Sequence, residues 1–196
     1  GFEDHRWKGM GELTYSFNKK DYLPREFPVN NLTFSYANDV MSPSDRFVPT
    51  DKDNVFISFK WTTVDHMQYY QRYHLTYDKE WENGLRINMQ MKHEVNEPTG
   101  ALFYQSLDGK GGPSTDPSLY KKDITTAEVG FGVKYQPGAT WINTKQRRLS
   151  TNLDSPIYSL QHTVGIKGVL GGEYNYNLTE ATVYKRFWLR AWGKMD

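Results

Sequence analysis

The sequence predicts an all-β, antiparallel fold, and three observations carry the prediction. Apolar and polar residues alternate with a period of two through segment after segment of the chain. Aromatic residues make up 15% of the 196 positions while mean hydropathy stays strongly polar at −0.76. Few aliphatics, many aromatics and many polar residues suit half-exposed strands better than a helical core. Finally, no window carries convincing helical periodicity.

The alternating segments follow in order. Leu13, Tyr15 and Phe17 interleave with Glu12, Thr14 and Ser16, and Leu32, Phe34 and Tyr36 with Thr33, Ser35 and Ala37. Val55, Ile57, Phe59 and Trp61 alternate with Ser58, Lys60 and Thr62. Met67, Tyr69, Tyr73, Leu75 and Tyr77 face away from Gln68, Tyr70, Arg72, His74 and Thr76, and Leu85, Ile87, Met89 and Met91 from Arg86, Asn88, Gln90 and Lys92. The weakest segment is Ala101–Ser106. Ala127, Val129, Phe131, Val133 and Tyr135 then oppose Thr126, Glu128, Gly130, Gly132 and Lys134. Tyr158, Leu160, His162, Val164 and Ile166 oppose Ser159, Gln161, Thr163 and Gly165. The last segment, Tyr184–Trp192, sets Phe187, Leu189 and Ala191 against Arg186, Trp188, Arg190 and Trp192. Eight or nine strands in a single domain over residues 1–196 are expected, with no separate second domain.

Connections are unequal. Val64-Asp65-His66 is tight, Asn83-Gly84 is a hairpin signal, and Gly168 to Gly172 is short and glycine-rich. Lys19–Asn30, Met41–Asn54, Leu107–Leu119 and Gln136–Pro156 are long, polar and proline-punctuated. Short turns at one end and long loops at the other are the habit of outer-membrane barrels. The two long loops flanking Thr126–Tyr135 break that pattern.

Bulk composition bounds the function. A net charge of +1 gives no argument for a nucleic-acid partner. The absence of cysteine excludes disulfides, thiolate metal sites and cysteine nucleophiles. No run approaches the ~18 apolar residues of a membrane helix, but barrels cross with strands whose alternation cancels any hydropathy peak. The chain opens Gly-Phe-Glu-Asp without a start methionine or signal peptide, as expected of a mature chain or an excised segment.

The strands look long beside the ~5–6 residues usual in soluble sheets and suit the ~9–11 that cross a bilayer at a tilt. The expected fold is therefore an antiparallel transmembrane β-barrel, or a segment of one. Its polar face would line a hydrated lumen through Arg72, His74, Arg86, Glu128, Lys134, Arg186 and Arg190. Val129, Phe131, Val133, Phe187 and Leu189 would face lipid. Bulky inward residues imply a lumen wider than eight strands enclose, hence a piece of a larger barrel.

Catalytic motifs are sparse. "HEVNE" (His93–Glu97) lacks the second histidine of a zinc protease helix and falls at a strand end. "TDKDN" (Thr50–Asn54) lacks the glycine and distal glutamate of a calcium loop. "SLDGKGGPSTDP" (Ser106–Pro117) leads into no helix that could hold a phosphate. The five histidines are scattered, and the Asn31 and Asn177 sequons sit at strand starts. No catalytic, cofactor or metal residues are assigned. The loop feature with binding chemistry is the cluster Lys145, Arg147 and Arg148 near Trp141, which suits lipopolysaccharide phosphates, a glycan or a partner loop.

Four stretches carry a family resemblance: "SFNKKDYLPREFPVNNLTFSYANDVMSPSDRF" (16–47), "TDKDNVFISFKW" (50–61), "WENGLRINMQMKHEVNEPTGALFYQ" (81–105) and the run from "YQPGATWINTKQRR" to "KRFWLRAWGKMD" (135–196). Together they resemble the C-terminal domain of unknown function of Bacteroidota carboxypeptidase-like regulatory domain proteins. The resemblance implies an outer-membrane barrel distantly similar to the surface-antigen barrels of the barrel-assembly superfamily. It also implies a preceding signal peptide and small β-sandwich, and further barrel sequence beyond the matching segment. It supplies no catalytic residues.

The expected function is that of an integral outer-membrane barrel of a Gram-negative cell, active in envelope transport, biogenesis or scaffolding. Its partners would be outer-membrane lipid and, through the long loops, lipopolysaccharide or other envelope proteins. The alternative is a soluble all-β binding module whose exposed aromatics stack on sugars. A glycosidase using paired carboxylates has no recognisable pair to support it.

Overall fold

A computed structural model of the protein describes residues 6–21, 23–41, 67–100, 103–105, 112, 114, 116–188 and 194–195. In chain order the strands are β1 (Gly9–Ser16), β2 (Asn30–Met41), β3 (Gln68–Glu80), β4 (Leu85–Pro98), β5 (Tyr104–Gln105) and β6 (Tyr120–Lys121). They continue with β7 (Ile124–Tyr135), β8 (Trp141–Asn143), β9 (Arg148–Ser150), β10 (Ile157–Gly165), β11 (Tyr176–Tyr184), β12 (Phe187–Trp188) and β13 (Lys194–Met195). The fold is all-β. A single large sheet runs β1-β2-β3-β4-β7-β10-β11, antiparallel throughout. The pairs β5-β6, β8-β9 and β12-β13 stand apart as small ribbons.

Local chemistry fixes the register. Between β3 and β4 the Trp81 N–H donates to Leu85 O and Gly84 N–H to Trp81 O, closing the turn that Asn83-Gly84 predicts. Gly84 has φ +85°, and a side chain there would also strike the Gln136 carbonyl, whose residue donates its own N–H to Gly84 O. At the β10–β11 turn Gly168 and Gly171 take positive φ, and Gly168 and Gly172 close a short backbone-bonded loop. That turn leans onto the neighbouring strands: Ile166 N–H donates to Ala127 O, and the His93 ring meets Leu170 O at 3.0 Å.

The register sorts side chains onto two faces. One carries the row Phe34, Leu75, Met91, Val129 and Val164, and beside it Leu32, Tyr77, Met89, Phe131 and His162. Ile87, Val133 and Leu160 extend it toward Tyr135 and Tyr158. The other carries Glu12, Ser35, His74, Lys92 and Glu128, then Thr14, Thr33, Thr76, Gln90, Gly130 and Thr163.

Burial runs opposite to that of a water-soluble domain. Among the described residues only Val29, Ala127 and Ala139 are buried hydrophobics, against eleven buried polar or charged ones. Phe131 stays 45% exposed and Leu160 50%, while Glu94 is 1% exposed. No second layer of the described chain covers the apolar rows.

Several expectations need correction. The sheet is open, with β1 and β11 as its edges, and no closed barrel forms among the described residues. Among the described residues it has seven strands; of the eight or nine expected, Val55–Trp61 falls outside them. Tyr184–Trp192 is not one long strand: β11 ends at Tyr184, and Phe187–Trp188 pairs with Lys194–Met195 outside the main sheet. The edge is therefore β11, which the alternation did not reveal. Of Ala101–Ser106 the described residues 103–105 include the two residues of β5, and Gln136–Pro156 is no plain loop because it contains the β8–β9 hairpin. Connections do not sort by length, since the long segments 17–29 and 136–156 leave one end of the sheet and 99–123 the other. The expected strand Val55–Trp61 and the turn Val64-Asp65-His66 lie outside the described residues, as do Leu189, Arg190 and Trp192.

Candidate functional site

The polar face is the most organised chemical surface of the molecule. Arg72 and Glu94 are direct cross-strand partners, so Arg72 Nε donates to Glu94 Oε2 at 2.5 Å. Asn96, two residues along β4 on the same face, supplies a second donor at 2.9 Å to Glu94 Oε1. A carboxylate removed from water needs both donors to remain ionised. Lys92 and Glu128 repeat the arrangement across β4 and β7 at 2.9 Å.

Glu128 takes a further bond from two strands away. The Tyr176 hydroxyl on β11 donates to Glu128 Oε1 at 2.5 Å, with the ring crossing Gly165 on the intervening β10. A Cβ at Gly165 would occupy the space of that ring. The neighbouring glycines serve amides in the same way: Gln90 Nε2 lies 2.7 Å from where a Gly130 Cβ would stand, and the Gln161 amide covers Gly132. The His74 ring is tied to Gln90 Oε1 at 3.1 Å and to Thr76 Oγ1 at 3.3 Å.

Toward the β3–β4 turn Asp78 is met both directly, by Asn88, and diagonally, by Arg86. Arg86 Nη2 and Asn88 Nδ2 both donate to Asp78 Oδ1, at 2.9 and 3.1 Å. Glu80, opposite Arg86 in register, instead receives Arg148 from the β9 strand, at 2.7 Å from Nη1 and 3.3 Å from Nη2. Arg148 also lies over the Trp141 ring, 4.1 Å from its centroid. Asn143 clamps the 17–29 segment by accepting from Phe27 N–H and donating to Phe27 O. In that segment the Lys20 ammonium donates to Glu26 O and Pro28 O at 2.8 Å each. Its partial burial holds it below the ordinary lysine range, against the opposing pull of Glu26 and Glu80.

The expected site residues separate accordingly. Arg72, His74, Arg86, Glu128 and Lys134 share the polar face, and Val129, Phe131 and Val133 share the apolar one. Arg186 lies in the link after β11, half-buried and bonded to the Tyr184 hydroxyl at 2.8 Å, and Phe187 is exposed in β12. The cluster around Trp141 divides: Arg148 turns inward to Glu80, while Lys145 and Arg147 stay exposed at the hairpin tip. Within "HEVNE", His93 and Glu94 fall on opposite faces, so they do not converge on one ion. Of the acids central to the face, Asp78 and Glu80 were not singled out in the sequence and Glu94 was weighed only within "HEVNE"; the hairpin register at Asn83-Gly84 is the signal that places all three.

These features define an all-β protein built on an open antiparallel sheet, with one ion-paired polar face and one exposed apolar face. The chain belongs to a family of unknown function (DUF5686), whose C-terminal domain matches it over residues 1–196. No curated protein and no solved structure matches it.

Proposed function

We propose that the chain is a segment of an outer-membrane β-barrel, with its apolar face toward lipid and its ion-paired face toward a hydrated lumen. The reading rests on one observation, the inversion of burial. Rows of Phe, Leu, Met and Val stand exposed while Glu94 and its neighbours are enclosed. In water each such half-exposed side chain forgoes part of the roughly 1.5–3 kcal/mol of full burial, a loss that a hydrocarbon solvent removes. The charged face fits a lumen, where ion pairs and water share the load.

Strand parity supports a larger assembly. In an alternating sheet of seven, β1 and β11 point the same way, so antiparallel closure throughout needs an odd number of further strands. Open edges in hydrocarbon cost several kcal/mol per unpaired backbone group, which makes such completion necessary. The resemblance to Bacteroidota envelope proteins supports a Gram-negative outer membrane as the location. Transport, envelope biogenesis or scaffolding are the roles this architecture serves, without catalysis. Lys145 and Arg147 at the hairpin tip suit the phosphates of lipopolysaccharide or an envelope partner.

Detergent dependence tests the reading. The chain is expected to fold into micelles or vesicles and to aggregate in plain buffer. A monodisperse, cooperatively unfolding monomer without detergent would overturn it in favour of a soluble binding module.

A further inference from the structure

A recess of about 370 Å³ opens between the 17–29 segment and the polar face of β1, β2 and β3. Its volume is that of a small-molecule site. Hydroxyls of Thr14, Thr33, Ser35 and Thr76 line it, and among its described wall residues Val29 alone is aliphatic. An apolar ligand has nothing to hold there.

Most charged groups at the wall already have partners. Arg86 and Asn88 converge on Asp78, Arg148 engages Glu80, and His74 is tied to Gln90. Two groups have capacity left. Asn31 is 4% exposed; its Nδ2 donates to Pro24 O at 2.6 Å, while its Oδ1 is buried without a hydrogen-bond partner. Exchanging the amide's O and N atoms would only turn an acceptor toward the Pro24 carbonyl, so the unmet need is for a donor. Arg25 is the second group, its side chain 82% exposed and its guanidinium held, among the described residues, only by Glu12 at the long distance of 3.8 Å.

The recess thus asks for a molecule that brings both a hydroxyl donor and an anion. A bare anion would satisfy Arg25 and leave Asn31 Oδ1 unmet. A neutral polyol would do the reverse. A guanidinium fork pairs well with a carboxylate or a phosphate.

We propose that this recess binds a small polyhydroxylated anion of the sugar-acid or sugar-phosphate class, with its anionic group on Arg25 and a hydroxyl donating to Asn31 Oδ1. Glu12 is the partner of Arg25 that the ligand's anionic group displaces. The site depends on the recess alone and holds whatever surface the apolar face meets.

The test is calorimetric titration of the folded full chain, in micelles if it requires them, with glucuronate, glucose 6-phosphate, glucose and inorganic phosphate. Glucuronate or glucose 6-phosphate is expected to bind saturably, at least about tenfold tighter than glucose or phosphate. Whichever of the two binds more tightly assigns the anionic group as carboxylate or phosphate. Arg25→Gln, at an exposed position that should leave the far-ultraviolet circular dichroism unchanged, should weaken binding about tenfold, and Glu12→Gln should tighten it. Absence of saturable binding by both sugar anions, equal binding by phosphate alone, or an unchanged affinity in Arg25→Gln would each overturn the proposal.

Discussion

Arg148 reaches from the β8–β9 hairpin to Glu80 at the end of β3, and its two donor nitrogens meet the two carboxylate oxygens at 2.7 and 3.3 Å. The Glu80 side chain is 7% exposed and that of Arg148 21%, so the pair is enclosed more on the acid's side. Removing the guanidinium strands a buried carboxylate. Arg148→Ala should cost about 2–3 kcal/mol, below the ~3–5 of a fully buried pair because Arg148 keeps contact with water. Amide exchange in β8 and β9 should accelerate with it, since Asn143 would be left to hold the hairpin. Arg148→Lys should recover only part of the loss, because an ammonium cannot span both oxygens. Stability and exchange unchanged in Arg148→Ala would show that the hairpin is held by other contacts.

The Tyr176 ring over Gly165 gives a second measurable coupling. Gly165→Ala places a methyl where the ring lies, and overpacking of this kind costs about 1–3 kcal/mol. Tyr176→Phe keeps the ring and loses the hydroxyl bond to Glu128, at about 1–2 kcal/mol. With Tyr176→Ala already in place, Gly165→Ala should be nearly silent, because the clash has gone. Chemical denaturation of the single and double variants reads this directly, and strictly additive costs would contradict the contact.

Asp116 provides a pH-dependent element away from the sheet. Its Oδ1 accepts from Ser118 N–H at 2.9 Å, capping the 3-10 turn Pro117–Leu119. That backbone bond, joined by one from the Ser118 side chain, holds the carboxyl below its ordinary value. The folded value lies below the unfolded one, so the cap is fully formed above the unfolded range near ~3.9 and is lost as pH falls through the lower folded value. In an NMR titration the Asp116 carboxyl and the Ser118 amide should share a midpoint below ~3.9. Asp116→Asn should abolish the Ser118 transition; a midpoint at or above the ordinary value would remove the cap as its cause.

The strands most legible in the sequence are those in which one face is mostly apolar over several successive positions. β7 was read almost to its bounds because Val129, Phe131 and Val133 alternate with polar or small neighbours. The reading of β4 stopped at Lys92 though the strand runs to Pro98, because His93 and Glu97 interrupt its apolar side. β11 escaped because, as an edge strand, its apolar-side positions include Asn177 and Thr179 while Leu178 points to the polar face. Period two survives there in geometry and vanishes in chemistry. The ion pairs were half legible: once Asn83-Gly84 sets the turn, Arg72 must stand opposite Glu94. Arg148 and Glu80 are 68 positions apart, and no local pattern announces their meeting. The resemblance carried the family, while the openness of the sheet emerged only from the pairing.

The two faces should respond differently to the same substitution. Phe131 stands in the middle of the apolar rows, flanked by Met89 on β4 and His162 on β10. Against lipid, an arginine at Phe131 or Val133 would carry charge into hydrocarbon, at about 2–4 kcal/mol near the midplane. Thr182 lies on the polar face at the β11 edge and is exposed, so Thr182→Arg should cost less than ~1 kcal/mol in the same vesicles. If water instead meets the apolar face, Phe131→Arg replaces an exposed aromatic by a solvated charge and should be close to neutral. Unfolding by denaturant in lipid vesicles therefore separates the two cases, with equal costs at Val133→Arg and Thr182→Arg counting against the membrane. Gly132→Arg belongs outside the comparison, since its penalty is steric: the Gln161 amide already fills the space where any side chain would begin.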